Sequence, residues 1–403
     1  MRTALLCAAL SAAAAAPLAA QSVAVRGETV YTSAGEPIAD GVVVIENGRI
    51  VAVGPASAVE IPAGLPLLEA AVVTPGLIDA HTVIGLSGHL NQPHDQDQLE
   101  GSSPVQPELR AIDAYDARER LVEWVRGLGV TTIHTGHGPG ALVSGQTLIA
   151  KTRGDSVEAA VIVPAAMVAA TLGESALADG PKPPGTRGKL AAMLREELVA
   201  AGEYAAKRGH EDAAKRPPRN LKLEALAQVL SGELPLMITA QRHQDIATAL
   251  RLQREFGFRL VLDGAAEAHV LIGPLSEAGV PVILHPTMRR AVGEAENLSM
   301  ETAALLADAG IPFALQSGYE AYVPKTRVLL FEAALAAARG LGFERTLAAI
   351  SIDAARLLGI DERVGSLELG KDGDLALYDG DPFEYTSHCL GVVIEGEVFS
   401  GVR

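Results

Sequence analysis

Four histidines stand where short apolar runs give way to glycine, proline or threonine, and such strand ends are where a folded chain places its chemistry. His81 ends Leu77-Ile78-Asp79-Ala80-His81. His134 and His137 lie in Thr131-Thr132-Ile133-His134-Thr135-Gly136-His137-Gly138-Pro139-Gly140, and His285 closes Val280-Pro281-Val282-Ile283-Leu284-His285. A neutral imidazole donates one hydrogen bond, accepts another, and is the commonest side-chain ligand of transition metals. Gln241 and Ser317 sit at the ends of two more apolar runs and add hydrogen-bonding groups. The set His81, His134, His137, Gln241, His285 and Ser317 suits a pocket for a small polar or heterocyclic molecule rather than a hydrocarbon. Two chemistries stay open at this point. The residues bind by hydrogen bonding alone, with no metal, or His81, His134 and His137 hold a single divalent metal such as zinc.

Other chemistry-bearing residues read more simply. His89, His94, Asp95 and Asp97 belong to an amide-rich stretch that resembles a surface loop. His388 beside Cys389 falls in a terminal β segment and reads as structural. Gly138-Pro139-Gly140 offers backbone N–H groups to an anion, but such a tripeptide is more often just a tight turn. Ser144 and Ser317 lack the Gly-x-Ser-x-Gly elbow of a nucleophile.

These residues need strands to hold them. Apolar runs at 77–81, 129–135, 147–152, 158–165, 234–240, 258–263, 280–285 and 311–317 give eight candidate strands, the number in an α/β barrel. Helical segments separate the last four, each stopped by a glycine such as Gly257, Gly279 or Gly310. Repeated units of this kind predict a parallel sheet. An open doubly wound sheet is the structural alternative, but the chain lacks a Gly-x-Gly-x-x-Gly turn. Two insertions interrupt the pattern, a polar one at 85–107 and a charged one at 181–220 with a helical patch at 190–207. Before and after the middle lie β segments. Asn47-Gly48 marks a hairpin between 42–46 and 49–53, and Glu395-Gly396 marks another near the C-terminus.

The stretch Pro75-Gly76-Leu77-Ile78-Asp79-Ala80-His81-Thr82-Val83 resembles the first barrel strand of the amidohydrolase superfamily, Pro-Gly-(apolar)-Ile-Asp-x-His-x-His. Gly370-Lys371-Asp372-Gly373-Asp374-Leu375 is similar to that family's entry into its returning β strand. The likeness is to the imidazolonepropionase-like branch. It implies a TIM-like (β/α)8 barrel at 74–360 and a composite β-sandwich domain formed by N- and C-terminal strands at 21–73 and 361–403. It also implies hydrolysis of non-peptide C–N bonds at a binuclear metal centre. Yet the second histidine position is Val83, the strand-five position is Thr239, the strand-six position is Gly264, and the aspartate after strand eight is Gly318. The candidate strand at 158–165 also lacks a lysine. Removing several direct ligands should abolish a site that polarises water. Three functions follow for test: small-molecule binding with lost or altered hydrolysis, an active hydrolase with a single-metal or metal-free site, or a scaffold role.

The ends and the composition set further expectations. Residues 1–20 carry Arg2, a Leu/Ala-rich run and small residues before Gln21-Ser22, the pattern of a cleavable secretory signal. The expected destination is the periplasm or the exterior, and Cys389 would be the one cysteine left. A net charge of −16 repels polyanions, so nucleic acid is not an expected partner. No later apolar run reaches the length of a membrane span.

Overall fold

The computed structural model describes residues 22–90, 92–178, 180, 182–319 and 328–401. The expected leader at 1–20 lies outside the described residues. The chain opens with β1 (Val23–Val30), β2 (Ile38–Glu46), β3 (Arg49–Pro55) and β4 (Leu67–Pro75). Its middle holds β5 (Leu77–Thr82), β6 (Val130–Thr135), β7 (Val143–Gln146), β8 (Leu148–Lys151), β9 (Val161–Val163) and β10 (Val168–Thr171). There follow β11 (Leu236–Ala240), β12 (Leu260–Gly264), β13 (Val282–Leu284) and β14 (Phe313–Leu315). It closes with β15 (Leu375–Tyr378), β16 (Cys389–Ile394) and β17 (Glu397–Ser400).

Strands from both ends share one seven-stranded sheet in the order β17-β16-β15-β4-β1-β2-β3. The two hairpins form where the turn residues accept positive φ, Asn47 at 51° with Gly48 at 77°, and Glu395 at 48° with Gly396 at 81°. The join between the ends is β4, parallel to β1 and antiparallel to β15. Val25, Val43, Ile45, Val73, Leu375 and Val393 meet on one face and bury it.

The middle is mixed α/β, built on two sheets. One runs β14-β13-β12-β11-β10-β7, parallel from β10 to β14, and the other runs β5-β6-β8-β9. They meet where Thr82 bridges Gly318 and the Gly318 N–H donates to the His81 carbonyl at 3.0 Å. The helices behave as their caps dictate. His243–Phe256 stops at Gly257 (φ 74°), and Ile272–Ala278 stops at Gly279 (φ 61°). In the second insertion, Thr186 caps the helix Arg187–Arg208, whose Leu190, Leu194, Leu198 and Ala201 are buried. The first insertion is tied to the wall by a bridge between Val105 and Val143. Among the described residues, no helix is long and apolar enough to cross a membrane.

Two of the eight expected strands differ. Within 158–165, Ser156 caps a helical turn at Val157–Ala160, and only Val161–Val163 is extended, antiparallel to β8. The parallel neighbour of β11 is instead β10, whose Val168-Ala169-Ala170-Thr171 carries too little β-branched signal to stand out in sequence. The expected strand at 147–152 exists as β8 but runs against β6, because residues 136–142 turn the chain straight back. Lys151 therefore points to the terminal sheet, where it bonds Asp372 at 2.9 Å and also Asp374.

Candidate functional site

The site begins where β11 pairs with β12 and His81, from β5 of the other sheet, reaches the end of β12. β11 and β12 place Thr239 opposite Asp263 and Ala240 opposite Gly264. The Thr239 hydroxyl donates to Asp263 Oδ2 at 2.6 Å, and Gln316 Nε2 donates to Asp263 Oδ1 at 2.9 Å. His81 Nδ1 reaches the same Oδ1 at 2.8 Å. All four residues are buried. Burial opposes charge on His81, but the attraction and hydrogen bond of Asp263, aided by Asp79, raise its pKa. Burial likewise opposes the Asp263 carboxylate, and His81, Thr239 and Gln316 together still hold it below the usual carboxylate range. The result is a buried ion pair with two neutral donors on its anion. Asp79, beside it, accepts the Ser317 N–H at 3.0 Å, yet burial pushes its carboxyl up to about 6.

The remaining histidines are neutral. His134 Nδ1 lies 2.7 Å from the Ala80 carbonyl, which can only accept, so that nitrogen carries the proton. Its Nε2 then accepts from the Thr147 hydroxyl at 2.7 Å. Burial first, and His81 second at 5.7 Å between ring centres, lower its pKa to about 3. His285 donates Nδ1–H to the Pro286 carbonyl at 2.8 Å and is lowered to about 4, chiefly by burial. Burial lowers His137 to about 4 as well. Nε2 of His81, Nε2 of His285 and both ring nitrogens of His137 are buried without a hydrogen-bond partner among the described residues. Buried polar atoms are rarely left so, and such atoms mark places where water or a ligand belongs.

A cleft of ≈ 550 Å³ opens next to this layer, with Thr239, Gln241, Glu174, Glu294 and Tyr319 in its wall. Of the six residues expected to line a pocket, Gln241 borders this cleft directly. His81 connects to it through Asp263 and Thr239, and Ser317 sits beside His81, its hydroxyl 3.2 Å from Thr82 Oγ1. His134 is packed behind His81, and His285 is fully buried at the end of β13. His137 precedes the wall residue Pro139 by two positions. The sequence reading missed Asp263, Gln316 and Asp79. A lone carboxylate ending the apolar run Leu260-Val261-Leu262 was the available signal for the first.

At the positions that the resemblance assigns to metal ligands, Val83 has an apolar side chain, Gly264 and Gly318 have none, and the Thr239 hydroxyl proton is engaged by Asp263. Among the described residues, no three His, Cys, Asp or Glu side chains gather into an arrangement that could hold a metal ion. His89, expected on a surface loop, lies 3.5 Å from Glu119, and His388, expected to be structural, is exposed and pairs with Asp379 at 3.0 Å beside the terminal sheet.

Comparison with known proteins agrees with this architecture. Residues 237–399 match the model of the Amidohydrolase family. The imidazolonepropionase of Maricaulis maris (strain MCS10) is 27% identical over 83% of this chain and 86% of its own length. That of Rhizobium meliloti (strain 1021) is 27% identical over 91% and 92%. The crystal structure of an amidohydrolase from Thermotoga maritima MSB8 superposes with a TM-score of 0.86 at 29% identity, covering 94% of this chain and all of that one. Over most of its length the chain is thus similar to members of the amidohydrolase superfamily, and in sequence to its imidazolonepropionase-like branch.

Proposed function

We propose that this is an exported amidohydrolase-superfamily protein that binds a small polar or heterocyclic molecule and has lost or altered the hydrolysis of C–N bonds. The observation that carries this reading is the saturation of Asp263. His81, the one histidine kept from the first-strand motif, is paired with a carboxylate that Thr239 and Gln316 also engage. Val83, Gly264 and Gly318 leave nothing to complete a pair of metal ions. The names of the relatives set the default activity, hydrolysis of a non-peptide C–N bond, and the proposal departs from it for this reason. In the same reading the two middle sheets belong to a (β/α)8 barrel at 74–360. Residues 21–73 and 361–403 form a composite β-sandwich domain, and 1–20 is a cleaved leader.

One second reading has an observation in its favour. The unpartnered nitrogens of His81, His137 and His285 suit an active C–N bond hydrolase with a single-metal or metal-free site. Elemental analysis of protein purified without chelator separates the two. The proposal expects no stoichiometric zinc, manganese or iron. A content near two ions per chain overturns it, and a content near one favours the second reading.

A further inference from the structure

The cleft has one side chain that is fixed at both ends of its peptide unit and still carries an unused donor. Gln241 is 6% exposed. Its backbone carbonyl accepts the Glu267 N–H at 2.9 Å, and its side-chain Oε1 accepts the Ala266 N–H at 3.3 Å. Of the two ends of a carboxamide only the oxygen accepts an N–H, so the amide orientation is set and the NH2 group faces the other way. That NH2 group has no hydrogen-bond partner among the described residues. Room for it comes from Gly264, whose φ of 78° and missing side chain leave the volume that the carboxamide fills. A Cβ built on Gly264 would overlap Gln241. Where the superfamily pattern has a histidine on strand six, this chain therefore presents an amide from the end of strand β11.

Two positions earlier on the same strand face, Thr239 also lines the cleft. Its hydroxyl proton goes to Asp263, which leaves an oxygen able only to accept. Among the described wall residues, Glu174 and Glu294 equal Arg289 and Arg290 in number, and behind the wall Asp263 is paired with His81. A neutral donor beside a neutral acceptor selects an uncharged partner.

We propose that Gln241 is the specificity-determining residue of the cleft, donating Nε2–H to an uncharged carbonyl oxygen of the bound molecule, with Thr239 accepting from a neighbouring N–H. This rests on the reading of the cleft as a small-molecule site. Benzamide, benzoate and benzyl alcohol form a matched set of probes, to be titrated against the full chain by ligand-observed NMR and calorimetry. Benzamide is expected to bind saturably, with benzoate and benzyl alcohol at least about tenfold weaker, the effect of one well-made hydrogen bond. Gln241→Glu keeps the acceptor for Ala266 and removes the donor. It should lower benzamide affinity by about tenfold or more while the melting temperature holds. Equal affinity of wild type and Gln241→Glu for benzamide overturns the inference, as does a preference for benzoate or an absence of saturable benzamide binding. The comparison among the three probes on the wild-type chain decides the matter even if the variant folds poorly. Binding of benzoate alone removes the role of Gln241 and leaves the small-molecule reading standing. No binding of any probe, together with two metal ions per chain, removes both.

Discussion

Two of the buried polar clusters in the described residues are built on different principles. At the junction of the middle and the terminal sheet, Lys151 bonds Asp372 and Asp374, Asp372 also meets Arg49 and Arg363, and Glu395 meets Arg153 and Arg363. Lys151 is separated from Asp372 by 221 positions in the chain, so the cluster ties remote segments together. Its unpaired Nε atoms, on Arg153 and Arg363, belong to guanidiniums that already hold carboxylates. The cluster at the mouth of the strands is smaller and less complete. It pairs one cation with one anion, beside neutral histidines of which His137 and His285 leave ring nitrogens without partners among the described residues. A polar cluster that serves the fold closes on itself, whereas one that serves a ligand leaves groups for the ligand to meet.

The largest test of that contrast falls on the junction. Lys151→Met leaves Asp372 and Asp374 buried without their shared cation and should cost about 3–5 kcal/mol in denaturant unfolding. A loss below about 1 kcal/mol would mean that the arginines alone hold the junction. Next comes His134, which has both nitrogens satisfied and so belongs with the closed kind although it stands at the mouth. From sequence, His134→Ala and His285→Ala should leave stability nearly intact. The bonds of His134 to Ala80 and Thr147 change that expectation, and His134→Ala should cost about 2–4 kcal/mol. His137→Ala loses no hydrogen bond and should cost clearly less, and equal losses at the two positions would erase the distinction between them.

A smaller effect appears in the pH dependence. His134, His137 and His285, lowered to about 3, 4 and 4, bind fewer protons folded than unfolded between about pH 4 and 6.5. Their stabilisation is present above the unfolded value and is lost as pH falls, each by up to about 1.4 kcal/mol per pH unit. Asp79, raised to about 6, acts in the opposite sense: its contribution is full below the unfolded value near 4 and is lost as pH rises through about 6. Among these four groups the three histidines outweigh Asp79, so their combined contribution falls on acidification. In His285→Gln, the slope of unfolding free energy between pH 4 and 6.5 should be shallower by about one proton. An unchanged slope would place His285 in a wetter setting than its burial implies.

How much of this was legible beforehand follows from the range of the forces involved. The Asn47-Gly48 hairpin, the glycine stops at Gly257 and Gly279, and the apolar runs of β11 to β14 rest on local backbone preferences, so the sequence alone determined them. The histidines at strand ends were visible for the same reason, and so was the absence of ligand atoms at Val83, Gly264 and Gly318. Strand β10 was not, because Ala169 and Ala170 become strand only through the partners they pack against. Nor was the direction of β8, which a loop of seven residues decides and which sends Lys151 toward Asp372. The pairing of His81 with Asp263, 182 positions away, and the fit of Gln241 into the space beside Gly264 required the sheet to bring distant strand ends into contact. Hydrogen bonds and ion pairs act over a few ångströms, and only the tertiary structure decides which groups come that close.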